Sequence, residues 1–302
     1  MQALDDRPTG DPVASRYSRP TGTWQPLAGE RLLDRLRFTG RHRPEADPEL
    51  PRALRAVLGD GRPGDGVVAR AGAPRVVTRD VVTRLLGQGP GGAGGCATPT
   101  APLAVGFLMK ALFRQLNVLG RIDDPLADGL AALTVDGHAQ LVDWITRLAP
   151  ADLAELGAEV DRQASALARR WPTLSPCWLP RTRQTLRAPL AGGAVSLVAQ
   201  VDLAIGRPAP DRASVGIVEL RSGYRRPGHA ADLHFCALVE TLRTGVPPFV
   251  VATYYSRDGE LDVEPVDGEL LLAAARRTAA ALRVLHGPAD GPVPVGREVP
   301  RS

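Results

Sequence analysis

Two carboxylate residues, Asp202 and Glu219, lie within runs of apolar and β-branched residues that are typical of buried strands. The side chains of a strand alternate between its two faces, so Glu219 shares a face with Arg221, whereas Val218 and Leu220 point the other way. Two successive strands each carry a carboxylate, and one of these is followed two residues later by a basic residue. This arrangement outlines a site for a divalent metal, because Mg²⁺ prefers hard oxygen ligands. Hydrolysis of a phosphodiester is the chemistry that such a site suits.

The spacing of these residues is also compatible with a plain structural role. Asp202 and Glu219 would then be strand-end carboxylates that form salt bridges with arginines, which are abundant in this chain. Short motifs occur by chance, so the elements that surround the two residues have to decide between the two interpretations.

The patterns that predict these elements change near residue 180. Before it, apolar residues recur at spacings of three and four and predict helices, whereas after it alternating or β-branched runs predict strands. The helices predicted in the first part are short pieces within 31–58, then 78–86, 103–119, 124–133, 138–148 and 151–171. The second part is predicted to contain strands 182–190, 194–205, 213–220 and 249–256, with helices 230–244 and 268–285. This order indicates an α/β (α+β) fold.

The ends of the chain carry little periodicity. Residues 1–30 and 286–302 are rich in Pro and Gly and are predicted to be a mobile leader and a disordered tail. Residues 31–100 are predicted to form a small helical region that ends in a Gly-rich linker, which lacks the Gly-Lys-Ser/Thr ending of a phosphate loop. Residues 101–285 would form the main domain.

Composition and charge exclude several classes of protein. The chain has no run of about 18 apolar residues, and its N-terminus lacks the basic and apolar parts of a signal peptide, which predicts a cytoplasmic protein without a membrane span. The cysteines Cys96, Cys177 and Cys236 are too far apart for a Cys-x-x-Cys metal site. A net charge of +4 permits nucleic-acid binding without requiring it.

Three motifs in the second part occur in the order found in a known nuclease family. They read Val198-Ala-Gln-Val-Asp202-Leu-Ala-Ile-Gly206, Val215-Gly-Ile-Val-Glu219-Leu-Arg221-Ser-Gly223 and, after a helix, Val250-Val-Ala-Thr-Tyr-Tyr-Ser-Arg-Asp-Gly259. Over about residues 182–260 this order resembles the RecB-like branch of the PD-(D/E)XK nucleases. The resemblance implies a restriction-endonuclease-like core at 180–285, with a mixed central sheet flanked by helices and a helical N-terminal extension.

The resemblance also implies roles for individual residues. Asp202 and Glu219 would hold Mg²⁺ or Mn²⁺, and the backbone carbonyl of Leu220 would contribute a further ligand. Arg221 stands where the family has its lysine and would contact the scissile phosphate. Arginine stays protonated, so it cannot replace that lysine as a base.

Other family positions are altered as well. Asp232 and Cys236 stand where the family helix has Gln and Tyr, and Lys110, four residues after Gly106, stands where the family has a metal-binding His. These departures make a loss of catalysis a second hypothesis.

Four residues near the proposed metal site are candidates for DNA contact. Arg225 and Arg226 lie in the loop after the third strand, where they would bind phosphates or serve as plain surface arginines. His229 and Asp232 lie three residues apart on one face of the following helix. That face would touch DNA or simply be solvated.

Lys110 is the one lysine among 37 lysine and arginine residues, a bias typical of a GC-rich genome. It lies on predicted helix 103–119, which faces the active site in RecB-like proteins. Unlike the guanidinium of Arg221, its ammonium can release a proton or position an attacking water. Gly106 and Lys110 share one side of the helix, so a Gly106 packed on the sheet would direct Lys110 toward the two carboxylates. The alternative is a snorkelling lysine on an amphipathic helix.

Two functions follow as hypotheses. The first is a Mg²⁺- or Mn²⁺-dependent DNA phosphodiesterase in repair, recombination or defence, for which the family implies a helicase or another repair or defence protein as partner. The second is a nuclease-fold protein that has lost catalysis and binds nucleic acid or acts as a scaffold. The retained Asp202 and Glu219 favour the first function, whereas the altered Lys, His and Tyr positions favour the second.

Overall fold

A computed structural model describes residues 43–59, 75–86, 99–226 and 228–286. In these ranges one mixed six-stranded sheet is flanked by α-helices, which confirms the predicted α+β fold. The helices are α1 (Glu49–Val57), α2 (Arg79–Leu85), α3 (Ala101–Leu119), α4 (Pro125–Val135), α5 (Ala139–Thr146), α6 (Pro150–Arg170), α7 (Gly228–Thr244) and α8 (Gly268–His286). The strands are β1 (Arg75–Val77), β2 (Arg181–Leu190), β3 (Val195–Gly206), β4 (Val215–Arg221), β5 (Val250–Tyr255) and β6 (Glu260–Pro265). The predicted leader, nearly all of the Gly-rich linker and residues 287–302 lie outside the described residues.

The sheet is organised around β3. β2 runs antiparallel to it along one edge. On the other edge, β1 pairs in parallel with residues 195–197, and β4 pairs antiparallel with residues 203–206. β5 adds to β4 in parallel, and β6 adds to β5 antiparallel. Two separate neighbours therefore share one edge of β3, and a stretch of β3 lies between them.

Two apolar layers cover the two faces of the sheet. The first layer contains α1, α2, α7 and α8, and the second contains α3 to α6. In β4, Val215 and Ile217 pack in the first layer, whereas Val218 and Leu220 pack in the second. By this alternation Glu219 points toward the first layer, which agrees with the face that the sequence pattern predicts for it.

β3 changes face at Asp202. Its odd-numbered residues from Val195 to Val201 pack in the first layer, but Leu203 packs in the second. Arg183, which lies opposite Asp202 in the register of β2, has a φ of 51°, a value uncommon for residues other than Gly. At this irregular point the carboxylate of Asp202 reaches the backbone of β4, where its Oδ2 accepts a hydrogen bond from the N–H of Leu220 at 2.9 Å.

The sequence pattern missed two strands. β1 has three residues and pairs with a strand that is distant in the sequence, so no local pattern marks it. β6 pairs only along β5, and its apolar residues are limited to Leu261 and Val263 between polar ones. Both strands are recognised by their pairing in the sheet rather than by a pattern in their own residues. No helix within the described ranges is long and apolar enough to cross a membrane.

Candidate functional site

The candidate site lies where β3 and β4 separate. Their antiparallel pairing ends at Leu203 opposite Val218, and the next residues in that register are Asp202 and Glu219. The two carboxylates therefore occupy adjacent strands just beyond the last paired residues.

Lys110 of α3 joins the two carboxylates. Its Nζ lies 2.9 Å from Oδ2 and 3.0 Å from Oδ1 of Asp202, and 3.7 Å from Oε1 of Glu219. A Cβ added to Gly106 would lie 3.4 Å from Oγ of Ser222, so α3 packs closely against the end of β4 at this glycine. The helix pattern predicts this orientation for the case in which Gly106 packs on the sheet, and the snorkelling alternative is wrong because the ammonium binds carboxylates.

Glu219 is buried, with 2% of its side chain exposed. Its Oε1 accepts a hydrogen bond from Nη1 of Arg79, and its Oε2 accepts one from Nη2 of Arg221 at 2.8 Å. Burial alone would raise the pKa of Glu219, but the charges of Arg79, Arg221 and Lys110 outweigh it and lower the pKa to about 2. Glu219 is thus a buried anchor for several cations that is charged at neutral pH.

Arg79 is the site residue that sequence reasoning missed. It is the first residue of α2, where Thr78 caps the helix by accepting a hydrogen bond from the N–H of Val81 at 3.4 Å. Burial would lower the pKa of Arg79, but the charge of Glu219 more than offsets this and raises it. The signal that could locate Arg79 is β1, because that strand places the start of α2 beside β3, and three residues are too few to reveal it.

Arg221 bridges the strand and α7. The same Nη2 that binds Glu219 donates to Oδ2 of Asp232 at 2.8 Å. Burial raises the pKa of Asp232, and the attraction of Arg221 opposes this increase. Nε of Arg221 is buried and has no hydrogen-bond partner within the described part of the chain. The thiol of Cys236 is buried near these groups. Burial raises its pKa to about 12, so the thiol is protonated at neutral pH.

His229 is half-buried and packs beside Tyr255. Its Nδ1 lies 3.2 Å from the Tyr255 hydroxyl, and the two ring centroids are 5.8 Å apart. Burial, with the charge of Arg221 second, lowers the pKa of His229 to about 4. The imidazole is therefore neutral at pH 7 and cannot serve there as a cationic DNA contact.

The structure separates the two loop arginines that the sequence grouped together. Arg225 binds Glu260 and also Asp262, with 3.0 Å to Oδ2 of Asp262, and its guanidinium lies over the ring of Tyr255. Arg226 is exposed and has no ion pair with any residue that the structure describes. Only Arg226 of this pair is therefore available for a phosphate without breaking an existing contact.

Gln163 of α6 supports the site from the second layer. Only 1% of this residue is exposed, and its Oε1 accepts a hydrogen bond from Oγ of Ser256 at 2.7 Å. Its Nε2 donates to the carbonyl of Ser222 at 3.2 Å and to Glu159 at 2.7 Å. Gln163 thus ties α6 to the ends of β4 and β5. A single polar residue in an amphipathic helix gives no sequence signal for such a role.

The charges of the site balance within the chain itself. Its cations are Lys110, Arg79 and Arg221, and its carboxylates are Asp202, Glu219 and Asp232. Among the described residues no group of three or more His, Cys, Asp or Glu is arranged to hold a metal ion.

Asp202 and Glu219 nevertheless fit Mg²⁺ or Mn²⁺ by their chemistry, since one or two carboxylates with waters suffice for such ions. The ammonium of Lys110 lies at the point that both carboxylates share. For Leu220, the third ligand that the resemblance implies, the observed contact is its N–H to Asp202.

The comparisons with known proteins assign no family to this chain. No protein-family model matches the sequence, and no curated protein matches it. A solved structure described as "Crystal structure of SSO0001" is similar at 11% sequence identity over 77% of this chain and 85% of that chain. The TM-score of 0.25 is too low for this likeness to carry an argument.

Proposed function

We propose that this protein is a divalent-metal-dependent DNA phosphodiesterase of the RecB-like kind. The observation that supports the proposal is the convergence of Asp202, Glu219 and Lys110, since one ammonium nitrogen lies 2.9 Å from the first carboxylate and 3.7 Å from the second. Two carboxylates and an ammonium around one point can hold a hard cation, a phosphate oxygen and an attacking water close together.

Asp202 and Glu219 would hold Mg²⁺ or Mn²⁺ through their carboxylate oxygens. When bound, the metal would polarise the phosphoryl group and make its water a stronger nucleophile. Asp202 offers the accessible side of the site, because 17% of its side chain is exposed against 2% for Glu219. The ammonium of Lys110 lies at the end of a flexible side chain. It would move away from the point between the two carboxylates when the metal binds.

Lys110 and Arg221 would each take one role of the single lysine in the family motif: Lys110 would position water and transfer a proton, and Arg221 would bind the phosphate. The ammonium of Lys110 has three donors beside both carboxylates, so it can orient a water there and can release a proton. Arg221 cannot release a proton, but its guanidinium can donate to phosphate oxygens. Its Nε is buried and has no hydrogen-bond partner in the described part of the chain, so Arg221 would have to rearrange to present that donor to a phosphate.

DNA as substrate and a role in repair, recombination or defence rest on the resemblance of the three motifs. The same resemblance proposes a helicase or another repair or defence protein as the partner. Arg226, which is exposed and has no ion pair within the described residues, is a candidate for contact with the DNA backbone.

A second candidate function has its own supporting observation. Both oxygens of Glu219 already bind guanidinium groups, from Arg79 and Arg221, so its charge is neutralised without a metal. A nuclease-fold protein that has lost catalysis and binds nucleic acid would tolerate such a closed network. It would bind DNA equally well with and without divalent metal.

Cleavage assays distinguish these functions. Purified protein is incubated with linear and with circular DNA in Mn²⁺ or Mg²⁺, beside Asp202→Ala and the matched control Asp161→Ala on the exposed face of α6. We expect cleavage by the wild type and by Asp161→Ala but not by Asp202→Ala. No cleavage by the wild type with either metal, or equal cleavage by Asp202→Ala, would contradict the phosphodiesterase.

DNA binding without cleavage would favour the second candidate function. In either case we expect Arg226→Ala to lower the slope of log affinity against log salt by about one, as loss of one phosphate contact does. Arg225→Ala is the matched comparison and should leave the slope unchanged, because Arg225 is bound by Glu260 and Asp262.

A further inference from the structure

Glu219 has more cations around it than one carboxylate requires. Arg79 binds its Oε1, Arg221 binds its Oε2, and the ammonium of Lys110 lies 3.7 Å from Oε1. A divalent metal needs at least one of these oxygens. A metal between Asp202 and Glu219 would take the place of the Lys110 ammonium beside Oε1, and there it would repel the guanidinium of Arg79, which binds the same oxygen.

Arg79 is the partner best placed to leave Glu219. Arg221 is held a second time, by Asp232 of α7 at 2.8 Å, and it belongs to the same strand as Glu219. Arg79 comes from a different element, and its only other carboxylate contact within the described residues is with Asp80 at 3.9 Å. Arg79 also lines a cavity of about 110 Å³ between α2, α7 and α8, so there is unfilled space beside this residue.

The exchange of Arg79 for a metal has a consequence for anions. A buried guanidinium that gives up its carboxylate needs another anion, because an unpaired buried charge is strongly unfavourable. The proposed reaction brings such an anion to the site in the phosphate group of its substrate. Arg277 and Thr83 line the same cavity, and Nη2 of Arg277 donates to Oγ1 of Thr83 at 3.5 Å.

We propose that Arg79 closes the metal site in the resting protein by occupying Glu219, and that it transfers to a substrate phosphate when the metal binds. This inference rests on the proposed function, because it requires a metal at Asp202 and Glu219. It couples the two ligands: metal on Glu219 frees Arg79 for phosphate, and phosphate on Arg79 frees Glu219 for metal. Such coupling is reciprocal by thermodynamic necessity.

The test is a calorimetric titration of the full chain with Mn²⁺, which measures binding without relying on cleavage. We expect Arg79→Gln to bind Mn²⁺ about tenfold more tightly than the wild type, a coupling of ordinary size. Arg84→Gln, on the exposed face of the same helix, is the matched control and should bind like the wild type. Sulfate, used as a tetrahedral mimic of phosphate, should strengthen Mn²⁺ binding by the wild type but not by Arg79→Gln.

The possible outcomes separate this inference from the proposed function. Equal or weaker Mn²⁺ binding by a folded Arg79→Gln protein would overturn the role of Arg79 and leave the metal site intact. No Mn²⁺ binding by any variant would overturn the metal site and, with it, this inference. Circular dichroism checks the fold, and if Arg79→Gln does not fold, Arg79→Lys keeps a charge for Glu219 but lacks the fork of donors. Arg79→Lys should still bind Mn²⁺ more tightly than the wild type, and equal binding would overturn the inference.

Discussion

Asp202 and Glu219 are neighbours in the register of β3 and β4, yet their surroundings differ. Asp202 has 17% of its side chain exposed and binds one ammonium and one backbone N–H. Glu219 has 2% exposed and binds a guanidinium with each oxygen. Two acids that look equivalent in the sequence therefore divide into a more accessible carboxylate and a buried anchor.

Burial explains this division. A carboxylate in water keeps its charge without help, whereas a buried one needs enough cations to offset desolvation. Glu219 points into the first apolar layer, toward α7, and there Arg79 and Arg221 supply the required charge. Asp202 lies at the irregular point of β3, where water can replace a lost partner.

The largest difference between the two acids should appear in stability. Glu219→Ala would leave Arg79 and Arg221 without their common partner, and we expect it to lower the free energy of unfolding by about 3 to 5 kcal/mol. Asp202→Ala removes a partly exposed contact with Lys110 and should lower the free energy of unfolding by about 1 kcal/mol. Urea unfolding of the two variants beside the wild type measures both values. Equal losses would show that the two carboxylates do not differ as described.

Low pH should lower the stability of the protein in part by protonating Glu219. Its pKa in the folded protein is lowered from 4.5 to about 2, so its contribution to stability is present above pH 4.5 and is lost as the pH falls toward 2. The size of this contribution is roughly 3 kcal/mol, since one pKa unit corresponds to about 1.4 kcal/mol. Urea unfolding between about pH 5 and about pH 2.5 should show this loss in the wild type and a flatter profile in Glu219→Gln. The same slope in both proteins would assign the acid sensitivity to other groups.

The smallest effect on stability should come from removing Lys110, the cation bound to the more exposed carboxylate, Asp202. Lys110→Met leaves Asp202 partly exposed to water, and we expect a loss of at most about 1 kcal/mol in the free energy of unfolding. Arg79→Met, the matched change on the buried side, should cost about 2 to 3 kcal/mol because Glu219 loses a desolvated partner. A larger loss from Lys110→Met than from Arg79→Met would reverse the comparison.

Local periodicity was sufficient to predict one half of the site. The strands that carry Asp202 and Glu219 follow from alternation in strands, and helical spacing places Lys110 on the same side of α3 as Gly106. Arg79 could not be predicted because β1 has three residues and forms only when β3 is present as its partner. Arg225 binds acidic residues of β6. The sequence of β6 does not indicate that these residues would contact the loop that carries Arg225.

The buried network of Gln163 escaped prediction for a related reason. Its hydrogen bonds reach Ser222 and Ser256, which come from the ends of two different strands. Tertiary packing alone brings these groups together. Sequence patterns report the direction of a side chain within its own element, and they do not report which groups from other elements will meet it.

The most direct test of the proposed site is the cleavage activity of Lys110→Arg in Mn²⁺ under single-turnover conditions. Arginine can keep the charge between Asp202 and Glu219, but it cannot release a proton. We predict that the variant keeps its fold and its melting temperature and loses cleavage by about 100-fold or more, as expected when a proton-transfer group is removed. Full cleavage by a folded Lys110→Arg protein would contradict the assignment of Lys110 as the lysine of the active site.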